Sequence, residues 1–561
     1  MTDIGFAAEG RVSAKDGAAG AGLDAILPGT KVLAAALVIL GALKFTAVFL
    51  AAALPDEGYY WLWGQHPDWS YYDHPPLGGW VHWLTGTVFG DGTIAARLAT
   101  LPTFAGTLLI LWYWCGRLAP PDLRLRAFLT GTAMWLASPM MLIYQSLAIH
   151  DHLLIVFSLA ALHFFVLFAE SRDIGRPRYA LLYLCAVALG FAALSKYNAV
   201  FIAGGIGVWI LVQRDRLAWL GDKHLWLAAL VTAAMLTPVL YWNWSHGWPS
   251  FQFYTHDRIG HLATSSFDHI YNFTVQSFVI VSPVLMVAFL RFLIRGAPAV
   301  PALLRGPAAS VFLIGTATWY AMCLVTPAAH YWNVTSYLLP LAVAPFLIRS
   351  AMEFRLHVLW GALYGGSLLF TSTFVPLLTL TQPPGRHDEN LMFAAPAMLA
   401  EAEKAEAEYD ADLIVTTDYL SASLLSLYSG RTDIVHLGPR RDMWDFWFDP
   451  TLHKGEDAIV LAYDEFPETV LIDQVFEKTE TIGAFIAEPV MGAGGNERRD
   501  FGEHGDVHMP CHARLQCGQP HGQRRPHRHA PCENARRVDP GSSAKLAVGV
   551  GTCARLPRRS P

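Results

Sequence analysis

The first 380 residues are dominated by apolar runs long enough, or nearly so, to cross a bilayer. They lie near 32–54, 93–115, 126–147, 150–169, 179–195, 197–213, 224–242, 270–294, 308–326, 332–348 and 356–380. A hydrocarbon core about 30 Å thick takes about 20 helical residues. Backbone inside it must hydrogen-bond within its own segment. These runs predict an α-helical polytopic membrane protein with about eleven transmembrane helices. The stretch 179–213 reads either as two short helices broken at Ser195-Lys196 or as one long tilted helix. Only 15% of the residues are charged, where soluble domains carry about 25%. Nothing in the charge distribution points to nucleic acid. Residues 1–30 are Gly/Ala-rich and polar, lack the order of a signal peptide, and read as a flexible cytoplasmic N-terminus.

Basic residues alternate along this path. Arg117, Arg124 and Arg126 follow the second run. Arg172, Arg176 and Arg178 follow the fourth, and Arg214, Arg216 and Lys223 the sixth. Arg295 and Arg305 follow the eighth, and Arg349 and Arg355 the tenth. The intervening loops have almost none: 55–92 and 327–331 lack Lys and Arg, and 243–269 has only Arg258. The positive-inside rule then places 55–92 outside. An odd number of spans places everything after 380 outside as well.

The most unusual external stretch is "LPDEGYYWLWGQHPDWSYYDHPPLGGW", residues 54–80. Asp56 and Glu57 directly follow the first apolar run and sit among Tyr59, Tyr60, Trp61 and Trp63. Any one aromatic here fits a membrane-interface belt, but a belt does not explain acids and histidines mixed among them. A carboxylate at the membrane boundary is costly unless paired or facing a cavity. Burial raises its pKa and makes it a better general base. Asp73 and His74 open "DHPPL", an extended entry to a short interfacial helix on which Trp80 and Trp83 are spaced to share a face.

Charged residues within or beside the runs add a second element. Lys44 lies inside the first run, where a helix–helix ion pair is the plain reading. Arg97, Lys196 and Arg258 fall on the outer side, where the positive-inside rule disfavours them, and together suit a lipid phosphate. His150-Asp151-His152 form a turn. Three adjacent turn residues cannot all point at one ion, so no metal is expected. Cys115, Cys185 and Cys323 read as small buried hydrophobes.

These stretches resemble the GT-C glycosyltransferases of the protein mannosyltransferase superfamily, on the bacterial branch that includes the lipid A aminoarabinose transferase. The resemblance rests on the 54–80 stretch, "IAARLATLP", "AIHDHLLIVF", "ALSKYNAVF", "PVLYWNWSHGWPSFQFYTHDR" and "HYWNVTSYLLPLAV", in family order from about 45 to 350. It implies transfer of a sugar from a polyprenyl-phosphate donor to a lipid, glycan or protein acceptor outside the cytoplasmic membrane. No cofactor is implied, and attack opposite the leaving group would invert the anomeric centre. It further implies Asp56 as base, Glu57 as its neighbour and Asp151 as a second catalytic acid. Arg97, Lys196 and Arg258 would hold the phosphate, and Asp73, His74, His150, Tyr197 and His330 would contact substrate. Two readings from other classes stand beside it: a lipid or polymer transporter with external acidic gates, and a membrane sensor with an external ligand domain. The polar residues cluster on one side, and no inverted repeat of the transporter kind is visible.

Residues 381–486 change character. "EAEKAEAEYDADLIVTTDYLSASLLSLYSG" reads as helix, strand (Leu413 to Thr416) and helix, and "DAIVLAYDEFP" as another strand. This is a small α/β domain, periplasmic by the odd count of spans. The Asp410-Ala411-Asp412 triplet, an Asp-x-Asp spacing common by chance, reads as a turn before a strand. From 487 to 561 the chain is rich in Arg, His, Pro and Gly without apolar period, and Cys511, Cys517, Cys532 and Cys553 match no zinc spacing. This tail reads as a shifted reading frame and is expected to be disordered.

Overall fold

The computed structural model describes residues 22–254, 266–373, 388–438, 441–453, 456–462 and 484–489. Arg258 and all of the tail beyond Pro489 lie outside the described residues.

The described chain is mainly helical. Helix α1 (Thr30–Phe49) leads to the short α2 (Pro55–Gln65) and then α3 (Leu77–Phe89). Next come α4 (Thr100–Leu118), α5 (Arg124–Leu136), α6 (Asp151–Asp173), α7 (Tyr179–Ser195) and α8 (Val200–Leu211). Two bent pairs follow: α9 (Lys223–Met235) with α10 (Thr237–Ser245), and α11 (Ser266–Val281) with α12 (Pro283–Arg295). Helix α13 (Ala302–Cys323) and α14 (Ala351–Trp360) complete the bundle.

Several of the apolar runs are interrupted. Among the described residues three helices, Thr30–Phe49, Thr93–Leu118 and Asp151–Asp173, are long and apolar enough to cross a membrane as single rods, and up to five if each bent pair is one span. Hydropathy registers composition and passes over interruptions. Pro139 follows a break at Ala137-Ser138 inside the 126–147 run. Pro283 follows Ser282, whose φ of 102° lies in a region costly for a residue with a Cβ, and the two helices there meet at 100°. The 332–348 run forms short 3₁₀ and α turns rather than a rod. The 179–213 stretch is two short apolar helices, with Lys196 extended between them.

The predicted face shared by Trp80 and Trp83 is also revised. The Trp80 indole turns inward and donates to the Asp68 carbonyl at 2.8 Å, while Trp83 is exposed. Residues 22–29, expected as part of a flexible N-terminus, are tied to α5. Arg126 contacts Asp24 at 2.5 Å and donates to the carbonyls of Pro28 and Leu27.

Helix α6 fixes the polarity of the bundle. Asp151 opens it and Arg172 lies in its last turn, about 30 Å apart at 1.5 Å per residue. Arg172 pairs there with Asp222, and Arg216 pairs with Asp173 at 2.8 Å. Basic residues and Asp151 thus occupy opposite ends of one helix.

Residues 388–489 carry helix α15 (Asp388–Tyr409), strand β1 (Leu413–Thr416), helix α16 (Tyr419–Ser429) and strands β2 (Ile434–His436), β3 (Asp457–Ala462) and β4 (Ala484–Pro489). The sheet is parallel in the order β2-β1-β3-β4. Burial on both faces explains why Leu413 to Thr416 is a continuous run rather than an alternating one. Asp418 caps α16 by accepting the Ser421 N–H at 2.9 Å. Strand β4 extends to Pro489, past the expected domain end at 486. The Asp410-Ala411-Asp412 triplet is a turn into β1, as expected, with Asp410 at a φ of 54°.

Candidate functional site

The acid pair divides at the first turn of α2. Pro55 takes the first helical position, where a missing N–H costs nothing. Successive helical residues lie about 100° apart, so Asp56 and Glu57 face different surroundings. Glu57 is 1% exposed. Its Oε2 accepts the Leu54 N–H at 3.0 Å, the carboxylate half of a capping box, and its Oε1 accepts the Ala148 N–H at 2.7 Å. Arg97 grips both oxygens, Nε to Oε1 at 2.7 Å and Nη2 to Oε2 at 2.5 Å. Burial alone would raise the Glu57 pKa. The Arg97 charge and these hydrogen bonds outweigh it and hold the carboxyl below its ordinary value.

Asp56 points elsewhere. It is exposed and lines a cavity of about 290 Å³. The expectation that aromatics bury it is therefore corrected: the aromatic neighbours bury Glu57. Tyr60 and His74 join Asp56 on one wall, and Tyr144, Ile149, His150 and Asp151 form a second. Lys196 and Asn198 come from the break between α7 and α8. Trp319, Thr326, Tyr331, Trp332 and Tyr254 close the remainder.

A buried charged pair lies in the cavity lining. Lys196 Nζ lies 2.9 and 3.0 Å from the two oxygens of Asp151, both residues being buried. It also sits 5.0 Å from the centroid of the Tyr331 ring, a cation–π contact. An ammonium has three donors, so the pair leaves capacity for an anionic ligand. Beside it His150 is 4% exposed, and neither ring nitrogen has a hydrogen-bond partner among the described residues. Its ring lies 4.1 Å from that of His74, tilted by 49°, and meets the Tyr60 ring edge to face at 4.8 Å, and its Nε2 is 3.5 Å from Asp151. Burial, followed by the nearby His74 and Lys196, pushes its pKa well below the ordinary histidine range. The imidazole is neutral at pH 7, with one donor and one acceptor unanswered.

Other expected residues lie outside the cavity lining. Arg97 gives two N–H groups to Glu57 and the other three to the carbonyls of Ala47, Ala51 and Ala52. A guanidinium has five donors, so none remains for a phosphate. Tyr197 packs behind the wall, 5.6 Å from Tyr254, and its neighbour Asn198 takes the lining position. His330 bonds Gln276 Oε1 at 2.9 Å, and Tyr331 and Trp332 line the cavity instead. Asp73 is buried just behind, its carbonyl accepting the Tyr254 hydroxyl at 2.7 Å. Among the described residues Lys44 has no acid partner; it donates to the Gln145 carbonyl at 2.8 Å and to Ser146 Oγ at 3.0 Å. Among the described residues no three His, Cys, Asp or Glu side chains converge as metal ligands.

Sequence reasoning missed Tyr144, Trp319 and Thr326, which look like ordinary span residues. Tyr331, Trp332 and Asn198 were one or two positions from residues it chose.

Residues 73–242 match the profile of the family described as dolichyl-phosphate-mannose-protein mannosyltransferase. The matched segment contains His74, His150, Asp151 and Lys196 and begins after the acid pair. No curated protein matches the chain. Among solved structures, the chain is similar to ArnT from Cupriavidus metallidurans bound to undecaprenyl phosphate. The TM-score is 0.51 at 17% identity, over 75% of this chain and 88% of the other. At that identity the likeness is one of fold.

Proposed function

We propose that the chain is a GT-C glycosyltransferase of the protein mannosyltransferase superfamily and that it moves a sugar from a polyprenyl-phosphate donor to an acceptor hydroxyl outside the cytoplasmic membrane. The observation that carries this reading is the meeting of Asp56 with the Lys196–Asp151 pair in one aromatic-walled cavity. Asp56 accepts the acceptor's proton as general base. Lys196 balances charge on the departing phosphate oxygen, and Asp151 holds the ammonium in place. Attack from the face opposite the phosphate inverts the anomeric centre. The Tyr and Trp walls suit the faces of a sugar ring, and His150 offers a donor and an acceptor to a sugar hydroxyl.

The protein is a multi-pass inner-membrane enzyme in this account, with its cavity facing the periplasm. Two observations support the sidedness: basic residues crowd the Arg172 end of α6, and Asp151 opens the other end. The acceptor is a lipid, a glycan or a protein. Mass spectrometry of envelope glycolipids and glycoproteins from a strain lacking the gene tests the reading. One class should lose a single sugar increment while its polyprenyl-phosphate-linked form accumulates. An unchanged envelope profile would refute it.

A further inference from the structure

One turn of the α/β region reaches back to the acid-bearing helix. Strand β2 ends at His436, whose Nδ1 stands 2.6 Å from Asp442 Oδ2. Both side chains are buried. Asp442 Oδ1 accepts the Trp444 N–H at 3.0 Å, and the Asp442 N–H donates to Asp445 at 2.9 Å. The Trp444 indole donates to the Ile434 carbonyl at 3.1 Å. The turn is therefore fixed to the sheet from several sides. Its middle residue contacts the acid loop. The Met443 N–H donates to the Tyr59 hydroxyl at 3.1 Å, and its sulfur accepts the Tyr72 N–H at 3.1 Å. The Trp444 ring stacks on Tyr59 at 5.7 Å and 15°. Beside Tyr59, Gly58 lies so close to α16 that a Cβ there would sit 2.3 Å from the Ser423 carbonyl oxygen.

We infer that the turn Asp442–Trp444, pinned by His436, is a positioning device for sugar transfer that sets the rotation of α2 and hence the aim of Asp56. The inference rests on Asp56 being the base. Helix α2 is held at its first turn by Glu57 and Arg97, and Tyr59 is its second fixed point. Two points define a rotation where one leaves a pivot. A general base must lie within about 2.6–3.2 Å of the proton it takes, and a misplacement of about 1 Å can cost about 100-fold in rate. His436, Asp442 and Tyr59 do not line the cavity, so they act through α2 and are positioning residues.

The test uses the full chain in lipid nanodiscs, as wild type, His436→Phe, Asp442→Ala, Asp442→Asn and Tyr59→Phe. Three quantities are read: hydrogen exchange across 55–72, binding of undecaprenyl phosphate, and sugar transfer with a membrane lipid extract as donor. His436→Phe and Asp442→Ala should speed exchange in 55–72 and lower turnover about 10- to 100-fold. Undecaprenyl phosphate affinity and the donor level at half-saturation should stay within about twofold. Asp442→Asn keeps an acceptor for the Trp444 N–H and should recover most of the turnover. Tyr59→Phe removes only a hydroxyl and serves if the larger changes fail to fold. Faster exchange confined to 434–445, with 55–72 and turnover unchanged, would overturn the inference. So would parallel loss of turnover and binding. If the wild type transfers no sugar, the functional reading fails, and exchange across 55–72 still decides whether the turn holds α2.

Discussion

Arg97 and Glu57 form a two-pronged buried pair, and the three remaining Arg97 donors hold the carbonyls that end the first membrane helix. The pair fastens α1, α2 and, through the Ala148 N–H, the turn before His150. Removing one partner of such a pair strands the other charge and costs about 3–5 kcal/mol. Arg97→Ala and Glu57→Gln should therefore lower the thermal midpoint and folded yield. Loss of undecaprenyl phosphate binding with stability intact would return Arg97 to a ligand-binding role.

The pair also sets a pH dependence. Glu57 has a folded pKa below its ordinary value, so its stabilisation is complete above about pH 4.5 and lost as pH falls through the lower folded value. Thermal midpoints measured from pH 7 down to 3 should drop more steeply for the wild type than for Glu57→Gln. Parallel curves would contradict the assignment.

The Lys196–Asp151 pair should govern donor binding. A hydrogen bond to a charged partner is worth about 1.5–3 kcal/mol, or about 10- to 150-fold. Lys196→Met should weaken undecaprenyl phosphate binding by about that factor. Asp151→Asn should weaken it less, because the ammonium keeps its charge and loses its anchor. Titration of each variant in nanodiscs checks the order, and equal affinity for Lys196→Met and wild type would contradict it.

His150 should read the substrate as a neutral group. Burial and its cationic neighbours hold its pKa well below the ordinary value, so transfer should show no inflection from this residue between pH 6 and 8. His150→Phe keeps the ring volume and loses both hydrogen bonds, and transfer efficiency should fall about tenfold. A wild-type inflection near pH 6.5 that vanishes in His150→Phe would show a protonated imidazole instead.

The proposed extracytoplasmic placement of 55–92 and of the α/β region can be tested by labelling. Thr87 and Glu403 are exposed, so Thr87→Cys and Glu403→Cys in a cysteine-free background should react with an impermeant maleimide in intact spheroplasts. Labelling only after disruption would reverse the topology.

Much of the candidate site was legible because the proposed chemistry needs residue types that a membrane chain otherwise avoids. Asp56, His74, His150, Asp151 and Lys196 stand out among apolar runs, and all five line the cavity. What escaped was direction. Adjacent acids look equivalent in sequence, and only the rotation of α2 separates the buried Glu57 from the open Asp56. Arg97 likewise looked free until three carbonyls and a carboxylate surrounded it. The breaks within the apolar runs were hidden for a related reason: a hydropathy window passes over the interruptions before Pro139 and Pro283, where the chain turns. Strand β1, by contrast, occupies Leu413 to Thr416, the stretch that its β-type run predicted.

The most direct test is sugar transfer by purified Asp56→Asn, with donor from a membrane lipid extract and product read by mass spectrometry. Asparagine keeps the size of the side chain and cannot accept the proton. General base catalysis contributes about 10²–10⁴-fold. Turnover should fall by that factor, with undecaprenyl phosphate affinity unchanged and the thermal midpoint close to that of the wild type. Transfer by Asp56→Asn at the wild-type rate would contradict the central claim.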